Sequence, residues 1–303
     1  MKKLWLIISI LFVSSCKFES TEERSKPLIV VTTSILQDGV NQLVGDLAEV
    51  VSLMPAGVDP HLYKASVRDL DLLQNADLVV YHGLFLEGKM TEIFEKLKIQ
   101  KDLINASAGI AQAELIKNGP EAHAVDPHIW FDVELWAKAM NHVSEKLILW
   151  RPDWSSEIES RNTAYQVELS KLDQEISQKA QKLKESNQAL ITAHDAFAYF
   201  GKAYGLEVLG LQGLSTLSEP GLRDLTGLVN FIVQNDIKAV FAEQTISPKA
   251  IEAVVAGCTN QNHKIKLAGP LYTDSLDSPG TDAGTYVGMV KTNLDIIYNS
   301  LIQ

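Results

Sequence analysis

The chain is nearly devoid of cysteine, with only Cys16 and Cys258 among 303 residues. That excludes a disulfide framework, and the two are unequal in context, as shown below. Basic charge is also scarce: 27 Lys and Arg stand against 38 Asp and Glu, a net charge of −11. Such a balance argues against nucleic acid or an anionic membrane surface as a partner and is compatible with cation binding. The N-terminal apolar stretch, residues 4–13, is too short and wrongly flanked to span a bilayer. No short-period repeat or low-complexity segment occurs, and no His-Glu-x-x-His pattern or nucleophile motif is found.

That apolar stretch follows Lys2 and Lys3 and ends in Val13-Ser14-Ser15-Cys16, small residues closed by a cysteine. The pattern reads as an export leader, residues 1–15, with a lipobox whose Cys16 becomes the lipidated first residue of the mature chain. Residues 16–27 are polar and unpatterned, as a tether should be. Loss of the leader removes two lysines and no acid, which takes the net charge from −11 to −13. With Cys16 lipidated, Cys258 has no partner for an internal disulfide. The remaining length fits two lobes rather than one.

From Leu28 onward, β-rich runs alternate with amphipathic segments. Strands are expected at 28–33, 49–53 and 77–81, with helices through about 45, at 67–75 and at about 133–150. Continuous apolar strands separated by helices predict parallel sheets covered on both faces. Residues 154–185 then carry Ile158, Tyr165, Leu169, Leu172, Ile176 and Leu183 at helical spacing without Gly or Pro. Pro152 precedes this segment, and Ser156 with Glu159 offers a capping box. Its heptads are too few and irregular for a coiled-coil seam, so a monomer is expected. Further strands are predicted at 190–193, 207–211, 238–242 and 264–267, with a last helix over about 285–301. The fold class is α/β: two lobes with parallel-rich sheets, joined by one long helix. The division is 28–152, 153–186 and 187–303.

Asp-Pro-His occurs twice, at Asp59-Pro60-His61 and Asp126-Pro127-His128. Proline stiffens each loop, and an aspartate two residues upstream can bond one ring nitrogen while the other faces a metal. His194 follows the run Ala189-Leu190-Ile191-Thr192-Ala193, and Asp274 lies beyond the strand at 264–267. In open α/β sheets, ligands bind beyond the carboxyl ends of strands. Three histidines and a carboxylate would supply four N/O donors and leave a dication formally +1. Asp277 and Asp282 share the Asp274 loop. His82, His142 and His263 read as structural or surface residues, and His123 is a lone loop histidine. Tyr63, Trp130, Phe131, Phe197, Tyr199 and Tyr272 flank the candidates and would exclude water.

At these residues the chain closely resembles the metal-binding solute receptors of zinc and manganese ABC importers, the TroA-like periplasmic lipoproteins (cluster A-I). The matching segments are Gly57-Val58-Asp59-Pro60-His61-Leu62-Tyr63, Asp126-Pro127-His128-Ile129-Trp130-Phe131-Asp132, His194-Asp195-Ala196-Phe197-Ala198-Tyr199-Phe200, Leu271-Tyr272-Thr273-Asp274-Ser275 and Gly284-Thr285-Tyr286-Val287-Gly288-Met289-Val290. The resemblance implies two pseudo-symmetric lobes tied by the long helix, with a metal held in the cleft by His61, His128, His194 and Asp274. It also implies delivery to an ABC permease, an extracytoplasmic location through a lipid anchor, and no chemistry on the cargo. Manganese-dedicated members often carry glutamate where this chain has His194, and many zinc-dedicated members carry a His-rich loop that residues 119–125 lack. Zinc and manganese both remain open as cargo. The rival reading is a secreted zinc-dependent hydrolase, which would need an open coordination position and a general base.

Overall fold

The computed structural model describes residues 25–118 and 124–302. The leader, Cys16, most of the tether, Glu121 and His123 therefore lie outside the described residues. In the first half, the chain runs β1 (Leu28–Thr33), α1 (Ser34–Val44), β2 (Glu49–Met54), α2 (Val67–Asn75), β3 (Leu78–Tyr81), α3 (Thr91–Leu97) and β4 (Leu103–Asn105). The strands are all parallel, in the order β2-β1-β3-β4. β1 sits inside that sheet and all six of its residues are buried, which is why it reads as an unbroken apolar run. A short antiparallel pair, β5 (Lys117–Asn118) and β6 (Ala124–Val125), leads towards α4 (Val133–Trp150).

The long helix α5 (Ser155–Glu185) has 31 residues, about 46 Å at 1.5 Å per residue. The second half follows: β7 (Leu190–His194), α6 (Ala198–Tyr204), β8 (Val208–Gln212), α7 (Leu222–Gln234), β9 (Ala239–Glu243), α8 (Lys249–Asn260), β10 (Lys266–Leu271) and α9 (Tyr286–Leu301). Its sheet is again parallel, ordered β10-β9-β7-β8. The expected architecture of two parallel-sheet lobes and one long helix is what the chain adopts.

Three local expectations need correction. The Ser156–Glu159 capping box is absent: a 3-10 turn at Pro152–Trp154 runs straight into α5, so Ser156 falls inside the first turn. A capping box does open α2, where Ser66 and Asp69 bond each other's backbone. β10 begins at Lys266 and extends through Gly269 and Pro270, residues that read as a loop. β10 is an edge strand and its register shifts between Ala268 and Leu271, so a proline lacking its N–H is tolerated. His194 is the last residue of β7, paired with Gln212, rather than the first residue after it.

The six apolar positions predicted along α5 are all buried, and they do not face a single lobe. One continuous core joins Ile29 and Trp136 of the first half, Tyr165 and Leu169 of α5, and Phe197, Tyr199 and Tyr286 of the second. Polar bonds run through it: Trp136 Nε1 donates to Tyr165 Oη at 3.1 Å, and Tyr286 Oη donates to the Trp130 carbonyl at 2.8 Å. The lobes are packed together along this seam. Among the described residues, no helix is long and apolar enough to cross a membrane.

Candidate metal centre

Each predicted donor sits at the carboxyl end of its sheet's strands or on a loop entering a helix. His61 lies on the loop after β2, where Asp59 Oδ1 accepts the backbone N–H of His61 at 2.8 Å and of Leu62 at 3.4 Å. The carboxylate therefore fixes the loop and not the ring, contrary to the sequence expectation, and its other oxygen accepts the Thr216 hydroxyl at 2.6 Å. At the second Asp-Pro-His the expected pairing holds. Asp126 Oδ1 accepts the His128 backbone N–H at 2.9 Å and its Nδ1–H at 2.7 Å. Asp132 then caps α4 through the Glu134 and Leu135 amides, which anchors the segment that carries His128.

His194 has an acidic partner that the sequence reading missed. Glu243, the last residue of β9, accepts the His194 backbone N–H at 2.8 Å and Nδ1–H at 2.5 Å. Thr273 Oγ1 donates to the same carboxylate at 2.9 Å. The available signal was an acid closing an otherwise apolar strand, Ala239-Val240-Phe241-Ala242-Glu243. His82 has a role as well: Nε2 donates to the Pro127 carbonyl at 2.7 Å, bracing the peptide next to His128. Its own loop is held by the buried Glu87, which accepts the Thr32 hydroxyl at 2.6 Å and the His82 amide at 2.7 Å.

With Nδ1–H of His128 and His194 given to carboxylates, their Nε2 atoms face inward. His128 Nε2 lies 3.3 Å from both His61 Nε2 and His194 Nε2. Asp274 approaches all three rings, at 3.4 Å from His128, 3.5 Å from His194 and 3.8 Å from His61. One donor atom from each of the four residues lies within 4.8 Å of every other. Tetrahedral ligation at zinc–nitrogen distances of 2.0–2.1 Å puts neighbouring donors roughly 3.3–3.4 Å apart, so the cage has the size of a small dication. All four residues are buried, and neither oxygen of Asp274 has a hydrogen-bond partner.

In the metal-free fold the charges of the cluster compensate one another. Burial alone would raise the Asp274 pKa, but His194, His128 and His61 hold it well below the usual carboxylate range. Burial lowers His61 to about 3, helped by the neighbouring His128 and His194. Burial opposes charge on His128 too, yet Asp126 and Asp274 outweigh it and raise that ring to about 9. His194 is raised well above its ordinary value, with Glu243 and Asp274 overcoming burial.

The other candidates stay outside the cage. Asp277 accepts the Tyr272 hydroxyl at 3.1 Å, and Asp282 is exposed. His142 is half-buried on α4, and His263 donates to the Ile237 carbonyl at 2.9 Å. Of the flanking aromatics, Trp130 stands edge-on to His128 with ring centres 5.3 Å apart, and Phe131 stacks on Phe197 at 4.1 Å. Tyr199 donates to the Asp126 carbonyl at 3.0 Å. Tyr63 turns away to Asp69 and Tyr272 to Asp277. An apolar cavity of about 570 Å³ opens beside His61, walled by Leu84, Phe85, Val125, Pro127, Leu214 and Ser215. Larger cavities of about 620 and 690 Å³ lie elsewhere, along α4 and α5 and beside β8.

Four buried donor residues converge at one point, and the carboxylates of Asp126 and Glu243 are engaged by the His128 and His194 rings. The hydrolase alternative has no support in this arrangement. Comparison with known proteins agrees. The zinc-binding protein TroA of Treponema pallidum is 41% identical over 278 residues, covering 92% of this chain and 90% of that protein. Its solved structure, a periplasmic zinc-binding protein, superimposes with a TM-score of 0.89 over 92% of this chain and 100% of that one. The manganese-binding lipoprotein MntA of Bacillus subtilis is 40% identical over 273 residues, covering 90% of this chain and 89% of that protein. The metal ABC transporter substrate-binding lipoprotein FimA of Streptococcus parasanguinis is 30% identical over 308 residues, 99% of this chain and 98% of that protein. With the family model for the periplasmic zinc-uptake complex component A, ZnuA, matched over residues 29–300, the chain belongs to that family of metal-receptor components of ABC importers.

Proposed function

We propose that this protein captures a divalent transition metal, zinc or manganese, through His61, His128, His194 and Asp274, and hands it to an ABC permease. The observation that carries the reading is the Asp274 carboxylate, buried with both oxygens unpartnered and facing three imidazole Nε2 atoms. A buried acid without hydrogen bonds is costly unless a cation completes it. Relatives named for zinc and for manganese support both cargoes. The imidazole-rich donor set favours zinc in affinity, because nitrogen ligation follows the general order that puts zinc above manganese.

The same reading includes the fine organisation: a leader at 1–15, a lipidated tether at 16–27, lobes at 28–152 and 187–303, and a linking helix at 153–186. It makes Cys16 the anchor of a monomeric extracytoplasmic receptor that performs no chemistry on its cargo. The relatives named as lipoproteins support the anchor. Two experiments test the reading. Zinc and manganese competition titrations of wild type and of His61→Ala, His128→Ala, His194→Ala and Asp274→Ala should show tight binding lost in each variant. Mass spectrometry of protein from a lipoprotein-processing bacterial host should find a lipid on Cys16; an unmodified chain starting elsewhere would refute the anchor.

A further inference from the structure

We propose that Thr216 is a positioning residue that fastens the His61 loop across the cleft and so sets how long a bound metal stays. The inference rests on the reading of His61 as a metal ligand. Among the three histidines, His61 is held differently. Carboxylates grip the Nδ1 atoms of His128 and His194 directly, whereas Asp59 bonds the backbone of His61 and Leu62. The place of the His61 ring therefore depends on where its loop sits.

Two hydroxyls from the second half hold that loop. Ser275 Oγ accepts the Gly57 amide at 2.6 Å; it is buried beside Asp274 and lies 3.2 Å from Ser34 Oγ, so it belongs to the frame of the site. Thr216 is placed otherwise. It lies between β8 and α7, half-buried, and its Oγ1 donates to Asp59 Oδ2 at 2.6 Å. Its neighbours Leu214 and Ser215 wall the cavity that opens beside His61. One loop thus both lines the cavity beside His61 and ties down the carboxylate that shapes the His61 turn. His61 is also the most exposed of the four donors, at 6%. Removing the Thr216 hydroxyl would loosen one donor's loop without altering any donor or disturbing the shared core. A hydrogen bond to a charged acceptor is strong enough that its loss should speed release about tenfold.

The test uses cobalt(II) as the probe, loaded on the full chain, with stopped-flow release into excess chelator. Thr216→Val should leave the cobalt absorption spectrum and the association rate unchanged, because the donors are intact, and should raise the dissociation rate about tenfold. Thr216→Ser, which keeps the hydroxyl, should restore slow release. Release from Thr216→Val at the wild-type rate, or failure of Thr216→Ser to restore it, overturns the proposal. A His61→Ala control separates the two levels of the argument. If it binds and releases cobalt like wild type, the assignment of His61 fails, and the role of Thr216 falls with it.

Discussion

Asp274 and the rings around it form a charge cluster that is coherent only when a cation or protons occupy its centre. A metal that binds the folded state alone should stabilise it by about 4 kcal/mol at a thousandfold excess over Kd. His61→Ala, His128→Ala or His194→Ala should remove most of that gain in a thermal-shift series, while His142→Ala and His263→Ala should keep it. His82→Ala is not a neutral control, because its ring braces the Pro127 carbonyl. It should weaken metal binding about tenfold, in line with the effects of residues that orient metal ligands, and wild-type affinity in that variant would remove His82 from the site's support. Proton competition sets the pH dependence. His128 rises from 6.5 to about 9 in the metal-free fold, so its contribution to metal-free stability is full below about pH 6.5 and is lost through about pH 9. Metal needs the neutral ring, so affinity should rise with pH across that same window as metal-free stability falls. Parallel titrations and thermal melts from acid to alkaline pH check both signs.

At the scale of elements, α5 does more than connect. Leu169 is buried in the shared core, whereas Val167, two residues away, is 51% exposed. Leu169→Ala should cost about 2–5 kcal/mol in urea unfolding. Val167→Ala should change stability by no more than about 0.5 kcal/mol, and equal losses would contradict the one-faced burial of this helix. The stripe was legible because a helix packed along one side leaves a 3.6-residue period in its sequence. Elements without such a signal went unread. β4 has three residues at a sheet edge, α3 only seven, and β5 and β6 two each. β10 was misplaced because Gly269 and Pro270 normally punctuate a chain, and only its edge position lets them remain in a strand.

For the whole molecule, the continuous core decides how far the lobes can move. The restraint comes from more than the long helix, since Trp136, Tyr165, Phe197 and Tyr286 belong to one packed core across both halves. Opening the molecule widely would expose that apolar surface as well as bend α5. Metal removal should therefore shift loops at the site and leave the overall envelope nearly unchanged. Solution scattering of metal-free and metal-loaded protein is the measurement, and a large increase in the radius of gyration without metal would contradict the packed seam.

The amino-acid sequence by itself determined the parallel-strand runs, the long helix, the two Asp-Pro-His loops and the donor types, because periodicity, proline stiffening and residue chemistry act locally. Only the tertiary structure decided that Glu243 holds His194 and that Asp59 serves the His61 loop instead of its ring. Glu243 lies 49 residues from His194, and Asp59 is held by Thr216 from 157 residues away, and no local pattern encodes either contact. They arise where two sheets bring strand ends together over a common core, and packing of the whole chain sets that geometry.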